Sequence, residues 1–430
     1  MITTINNVTI TDDSRLCTKE TLFLSDKLSS KYENQARNFA QKVIHPVDLK
    51  EYFDFSQIKI IGITGTNGKT TTAALLYSLL LDLGYKVALQ GTRGFFINDK
   101  RVEEKSLTTP MLLNNYVHIQ EAIDASCDFF IMEVSSHSIV QERIYGLEYE
   151  LKIHTNITSD HLDYHGTLEA YIAVKNSFFA DETTKIINKD DKNIDFNFKN
   201  TLTYAVDGGG HLRVEAYTPE EGLSGVVNYL GERATFYSHL VGTFNLYNIL
   251  AAIGASLKLT NASLEEICDE VSGFAGVSGR MEMVSNSPEV IVDFAHTEDG
   301  IKNACGAINH KKVVALFGAG GDRDKSKRPK MGYEASKLSH KIYLTSDNPR
   351  SESPEKIIEE IYEGIALKEK VEIIPDRREA IETALLKLNE DEVLLVLGKG
   401  DENFQEIGDS ISPFNDKEII LNFIKKEELQ

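Results

Sequence analysis

The apolar positions of this chain fall into short continuous runs, separated by longer segments with helical spacing. Residues 58–64, IKIIGIT, form one such run. GTNGKT follows at once, and residues 71–85 then carry a helical pattern that Gly84 is placed to close. An apolar run bounded in this way predicts a strand covered on both faces, as in a parallel sheet. Residues 86–92, 128–136 and 151–158 predict three more strands, and residues 245–259 a further helix. The alternation points to a helix-covered parallel sheet over residues 57–276. Within it, residues 207–239 predict antiparallel strands or excursions from that sheet.

The pattern starts again near residue 277. Five apolar runs lie within 289–296, 311–319, 340–347, 370–376 and 391–400, most of them separated by helical segments. They predict a second doubly wound unit, a Rossmann-like domain over 277–430. Residues 1–56 carry weaker signals: strand-like NNVTI and TLFLS, and a polar, helix-like stretch over 32–44. The chain therefore reads as α/β with three units.

A length of 430 residues suits roughly two to four domains. Lys plus Arg number 46 against 66 for Asp plus Glu, a formal net charge of −20. That argues against nonspecific nucleic-acid binding but leaves an anionic small molecule open, since a site needs only local positive charge. No apolar run reaches the length of a membrane span, and MITTINNVTITDDSR lacks the features of a signal peptide, so a cytoplasmic protein is expected. The four cysteines form no CxxC pair, which suggests reduced thiols rather than a zinc knuckle or disulfide scaffold.

The most informative local motif is Gly65-Thr66-Asn67-Gly68-Lys69-Thr70, continued by Thr71, between a strand and a helix. Glycines let the backbone wrap phosphate oxygens, and free N–H groups at the helix start point at the anion. Lys69 can neutralise phosphate charge and the Thr70 hydroxyl can reach Mg²⁺. The longer GxxxxGK[ST] form would need glycine at position 63, where the chain has Ile63. Glu133 ends an apolar strand, where α/β ligand sites form, and a carboxylate there suits Mg²⁺. His137, His154, His161 and His165 lie close together in sequence, but without cysteines and beside a phosphate loop they favour magnesium over zinc. Lys175, in a helical run, reads on its own as a solvated lysine.

GTNGKTTT, EVSSHS, TNITSDHLDYHG, GTFNLYNILAA, SGRME, VDFAHTEDG, DNPR and GKGDENFQ occur in that order. In this the chain resembles the Mur ligases over residues 57–430; over the first 56 the likeness is thin, with DSR at 13–15 as its clearest match. The resemblance implies three domains: an N-terminal UDP-substrate domain over 1–56, short for the family; a central P-loop ATPase over 57–276; and a Rossmann-like amino-acid-binding domain over 277–430. It implies ATP-dependent amide ligation through an acyl phosphate. It also implies Mg²⁺ held by Thr70, Glu133, His161 and Lys175, the last as a carbamylated N6-carboxylysine. Asp160 and Asp163 either orient His161 or bind the metal through water, or simply cap a turn.

For ATP the resemblance implies Asn245, Arg280, Asp293 and His296 beside the phosphate loop, although Asn245 could simply cap its helix. For the UDP-sugar-peptide it implies Ser14, Thr108, Thr109, Ser135, Gln141 and Arg143; an ordinary salt bridge is the other reading of Arg143. Asp347, Asn348, Pro349 and Arg350 imply meso-diaminopimelate as the added amino acid, because a guanidinium can clamp its distal carboxylate. Gly398 and Glu402 are expected at the same end, with Glu402 accepting from the distal ammonium. The implied substrate is UDP-MurNAc-L-Ala-D-Glu, in cell-wall peptidoglycan synthesis. Asp401, Met111 and Glu298 depart from residues common in the family. The alternatives are the same chemistry with L-lysine, a folylpolyglutamate synthetase-like enzyme, or a nucleotide-binding module without catalysis. A monomer is the default expectation.

Overall fold

The computed structural model describes residues 1–104, 107–219 and 222–427. Residues 1–44 build a sheet of their own. Strands Ile2–Ile5 and Val8–Thr11 pair as an antiparallel hairpin, and Thr21–Leu24 and Lys42–Ile44 continue it in parallel. The helix expected over 32–44 is absent. That segment makes one α-helical turn, Glu33–Ala36, and then the strand Lys42–Ile44. Only Ala36 of the turn is buried, and Phe39, which would continue its face in a longer helix, is exposed. Val43 and Ile44 instead pair with Phe23 and Leu24.

At the middle of the large sheet lies Lys59–Thr64, with Leu151–His154 on one side and Phe129–Glu133 on the other, all parallel. Val87–Gly91 lies beyond Phe129–Glu133, while Thr184–Asn188 and Thr201–Ala205 extend the opposite side. The chain thus builds to one side of Lys59–Thr64 and then to the other. The reversal falls at the C-terminal end of that strand, where sheets of this kind open a ligand crevice. Consecutive residues explain the unbroken apolar run: Ile61 and Ile63 enter one core with Leu75, Leu79 and Ile253, whereas Ile60 enters the opposite core with Phe130 and Leu113. The helices Lys69–Asp82 and Asn245–Leu259 cover the first face. Gly84, at φ +88°, follows the first of them as expected of a residue closing a helix. Leu212–Thr218, Leu223–Tyr229 and Glu232–Ser238 form the antiparallel extension expected over 207–239.

The third sheet runs, edge to edge, Glu282–Asn286, Glu289–Asp293, Glu392–Leu397, Lys312–Phe317, Lys341–Leu344 and Val371–Ile373. All neighbours are parallel except the first pair. The five expected strands are present. The added edge strand, Glu282–Asn286, is half exposed and carried no apolar run to reveal it. No helix among the described residues is long and apolar enough to cross a membrane.

Candidate active site

A cavity of about 420 Å³ is lined by the loops that follow the strands of the second and third sheets. Into it come Thr66–Thr71, Glu133, His161, Asn245, Arg280, Asp293, His296, Asp347, Asn348, Arg350, Gly398 and Glu402. Residues far apart in sequence are thus assembled around one space.

The phosphate loop is held by backbone and side-chain groups of residues 155 and 156. The Thr66 amide donates to the Asn156 carbonyl at 2.7 Å, and Thr155 Oγ1 donates to the Asn67 carbonyl at 2.6 Å. A Cβ on Gly65 would lie 1.8 Å from Thr155 Oγ1, so this contact requires glycine. Gly68, at φ +84°, immediately precedes the helix Lys69–Asp82. The first amides of that helix have no intrahelical acceptor and are available to an anion. Lys69 Nζ donates to the carbonyls of Gly65 and Thr66 at 2.8 and 2.9 Å, and burial lowers its pKa.

Glu133 is 2% exposed. It accepts from Thr70 Oγ1 at 3.0 Å, from the Thr92 amide at 2.9 Å and from Thr92 Oγ1 at 3.2 Å, all neutral donors. His161 sits at φ +53°, with Nε2 3.3 Å from Asp160 Oδ2. Burial pushes its pKa down to about 4, which leaves the ring neutral and able to act as a ligand near neutral pH. Among the described residues no three His, Cys, Asp or Glu groups converge as a cage of their own. Thr70, Glu133 and His161 nevertheless border the same cavity, and an oxygen-rich, incomplete donor set fits Mg²⁺, which keeps waters and substrate phosphates as ligands.

Lys175 departs from the solvated side chain its sequence setting suggests. It is 1% exposed on the helix Leu168–Ser177, beneath the phosphate loop. Its Nζ donates to the Gly65 carbonyl at 2.8 Å and to Thr64 Oγ1 at 3.3 Å. Burial, and then the neighbouring Lys69 charge, hold its pKa well below that of a free lysine. It does not line the cavity, and as an ammonium it would repel a cation. An added carboxylate would reverse that charge and lengthen the side chain.

Among the residues expected at ATP, the Arg280 guanidinium lies over the Phe294 ring, 4.3 Å from its centroid. Asp293 is half-buried; desolvation raises its pKa, and it accepts from the Met281 and Ala295 amides at 2.7 and 2.8 Å. His296 shares Nδ1 with the Phe294 carbonyl at 2.9 Å. Asn245 is not the helix cap: Phe244 holds that position, and Asn245 Nδ2 donates to the Val241 carbonyl at 2.8 Å.

The residues expected around the UDP-sugar-peptide divide three ways. Thr108 lines the main cavity. Ser14 lines a separate hollow with Asp13, Lys31, Tyr32 and Met111. Thr109, Ser135, Gln141 and Arg143 line neither and form a web behind Glu133. Thr109 Oγ1 donates to the Glu133 carbonyl at 2.9 Å, and Arg143 Nη1 to the Thr109 carbonyl at 2.8 Å. Arg143 Nε also reaches Gln141 Oε1 at 2.9 Å, so its guanidinium is committed to neutral acceptors and makes no ordinary salt bridge among the described residues.

At the other end, Lys399 Nζ donates to Asn348 Oδ1 and to Glu402 Oε2, both at 2.9 Å, and Asn348 Nδ2 donates to the same Glu402 oxygen at 2.9 Å. Glu402 Oε1 takes part in none of these bonds. Gly398, at φ +111°, passes beside Asp347, where a Cβ would lie 2.6 Å from Oδ2. Pro349 does not line the cavity.

Sequence reasoning missed Arg323 and Lys327, which also line it, and Asp299. Asp299 Oδ2 accepts from Asn67 Nδ2 at 2.9 Å, joining the phosphate loop to the helix Glu298–Gly306. The signal for the two cations was GGDRDKSK after the strand Lys312–Phe317: glycines followed by positive charge, as in the phosphate loop but without its spacing.

The Mur ligase middle domain matches residues 63–256, and the Mur ligase, glutamate ligase domain matches 279–400. The chain is 53% identical over 414 residues to the UDP-N-acetylmuramoyl-L-alanyl-D-glutamate--2,6-diaminopimelate ligase of Wolinella succinogenes, covering 96% of this chain and 95% of the relative. It is 52% identical over 413 residues to the Helicobacter pylori ligase of the same name, covering 94% and 92%. A solved ligase of that name superposes with a TM-score of 0.67 at 27% identity, over 97% of this chain and 95% of the other. A Mycobacterium tuberculosis folylpolyglutamate synthase solved with ADP and AMPPCP shares the fold at 15% identity, with a TM-score of 0.67 over 82% and 91%. With both domain matches in order and half its residues shared with these relatives along nearly its whole length, the chain belongs to the Mur ligase family.

Proposed function

We propose that the chain joins meso-2,6-diaminopimelate to UDP-MurNAc-L-Ala-D-Glu, with ATP converted to ADP and phosphate, in peptidoglycan precursor synthesis. The observation that carries this reading is the phosphate loop and Arg350 bordering one cavity, which lets a single space hold both a nucleotide triphosphate and a second anionic group. The names of the relatives support the choice of substrates.

The first step is attack of a D-Glu carboxylate oxygen on the ATP γ-phosphorus. A C–O–P linkage forms, the bond to the β,γ-bridging oxygen breaks, and ADP leaves. The amine of the incoming amino acid then attacks the acyl carbonyl. The C–N bond forms, the C–O bond breaks, and phosphate departs with the former carboxylate oxygen. Lys69 and the helix amides hold the triphosphate, while Arg280, Asp293, His296 and Asn245 bind the rest of the nucleotide. Positioning and charge neutralisation do most of this work, because no protein nucleophile is required. Mg²⁺, when bound by Thr70, Glu133, His161 and carbamylated Lys175, supplies further neutralisation of phosphate charge. Lys175 supports the modification: a buried amine held neutral is the form that reacts with CO₂.

Arg350 takes the distal carboxylate of diaminopimelate, and Glu402, through Oε1, the distal ammonium; Asp347, Asn348, Pro349 and Gly398 shape that end. Thr108 approaches the sugar-peptide. Thr109, Ser135, Gln141 and Arg143 fix the wall behind it, and Ser14 contributes to the uridine end. The three units thus divide as UDP binding over 1–56, ATP binding over 57–276 and amino-acid binding over 277–430, in a cytoplasmic monomer.

The test is ADP release by the purified protein with ATP, Mg²⁺ and UDP-MurNAc-L-Ala-D-Glu, comparing meso-diaminopimelate, L-lysine and no amino acid, with product mass determined. A tripeptide product with diaminopimelate alone is expected. Product with lysine instead would contradict the role of Arg350.

A further inference from the structure

Arg350 is held from two sides. Its Nη1 donates to the Gly321 carbonyl at 2.6 Å, and its Nε lies 3.1 Å from Glu406 Oε2. Neither bond uses Nη2. Arg350 borders the cavity, whereas Glu406 does not. Glu406 therefore meets the guanidinium at Nε without itself bordering the ligand space.

Glu406 also grips the same segment through its backbone. Its carbonyl accepts from the Arg350 amide at 3.1 Å, and its amide donates to Asn348 Oδ1 at 3.0 Å. The Gly408 amide donates to the Arg350 carbonyl at 2.7 Å, so the hairpin Phe404–Ile407 and Ser410–Pro413 runs as a strap beside residues 348–350. The strap matters because Arg350 is at φ +51°, a region a side-chain-bearing residue rarely occupies unless its surroundings impose it. A partly exposed ion pair adds little affinity or stability by its charge alone. What the Glu406 carboxylate supplies is direction. With Nε and Nη1 each holding an acceptor, the guanidinium's rotation is restrained, and Nη2 is left out of both bonds.

Resting on the diaminopimelate reading above, we propose that Glu406 is a positioning residue for amino-acid specificity: it braces Arg350 so that the outer guanidinium edge meets the distal carboxylate of the incoming amino acid. A competing anion would instead weaken that encounter, and the two roles have opposite consequences on removal.

The experiment measures kcat and KM for meso-diaminopimelate at saturating ATP and UDP-MurNAc-L-Ala-D-Glu, in wild type and in Glu406→Ala, Glu406→Met and Glu406→Gln. Thermal unfolding identifies any variant that has lost its fold. The Ala and Met variants lose the acceptor for Nε–H, whereas Gln keeps an acceptor oxygen without the charge. Loss of the acceptor is expected to raise the diaminopimelate KM about tenfold, with kcat and the ATP KM unchanged. Glu406→Gln is expected to stay within about twofold of wild type, since its amide oxygen still accepts. Wild-type KM in the folded Ala or Met variant would overturn the proposal. So would tighter binding in all three, which would make Glu406 a competing anion. A wild-type protein that joins no diaminopimelate would overturn the functional reading itself and this inference with it.

Discussion

A buried amine is stable only if it is neutral or paired, because its charged form is poorly solvated. Lys175 bonds the Gly65 carbonyl and Thr64 Oγ1, faces the charge of Lys69, and forms no ion pair among the described residues. The neutral amine is the nucleophile that carbamylation needs. Incubation with ¹³C-bicarbonate is therefore expected to give a carbamate carbon signal in wild type that disappears in Lys175→Ala, together with loss of ligase activity that added bicarbonate does not restore. An unchanged signal in the variant would contradict the assignment. This residue also marks a limit of sequence reading. Its helix, LEAYIAVKNS, gives no apolar stripe that would place a lysine inside, so only resemblance pointed to it. Glu133 was legible because it ends a wholly apolar strand. Asp299 was not, since nothing local reveals that its carboxylate meets Asn67 more than two hundred residues away.

At the level of elements, the fold was legible wherever both faces of a strand are buried. Lys59–Thr64 and Glu392–Leu397 are almost wholly enclosed, and their sequences are correspondingly apolar. Glu282–Asn286 lies at an edge and escaped notice, and the segment 32–44 misled because polar residues of good helix propensity can equally line a turn and a short strand. Pairings between distant elements were equally silent. Arg377, on the helix Arg377–Leu386, bonds Asp416 at 2.7 and 2.8 Å, and both side chains are fully buried. The same guanidinium donates to the Leu397 and Ser346 carbonyls at 3.0 and 3.3 Å, tying together the strand ends that carry Gly398 and Asp347. Arg377→Ala would strand a buried carboxylate, and breaking such a pair costs about 3–5 kcal/mol. Denaturant unfolding of the variant is expected to show a loss of that size in the third sheet's domain. A loss below about 1 kcal/mol, the range of exposed pairs, would contradict the assignment.

Across the whole molecule, the phosphate loop and Arg350 belong to different sheets and meet only because both sheets turn the C-terminal ends of their strands toward one cavity. Asn67 and Asp299 close part of that interface directly. Under the proposed function, such enclosure protects an acyl phosphate from water and makes the proposed nucleotide and amino-acid regions parts of one reaction centre. On the proposed mechanism a substrate carboxylate is activated there by phosphorylation before the amine attacks. The most direct measurement uses UDP-MurNAc-L-Ala-D-Glu labelled with ¹⁸O in the D-Glu carboxylates, turned over with ATP, Mg²⁺ and meso-diaminopimelate, followed by mass analysis of the released phosphate. One ¹⁸O atom in each phosphate, matched by tripeptide product, is the result this mechanism requires. Unlabelled phosphate accompanying the same product would contradict it.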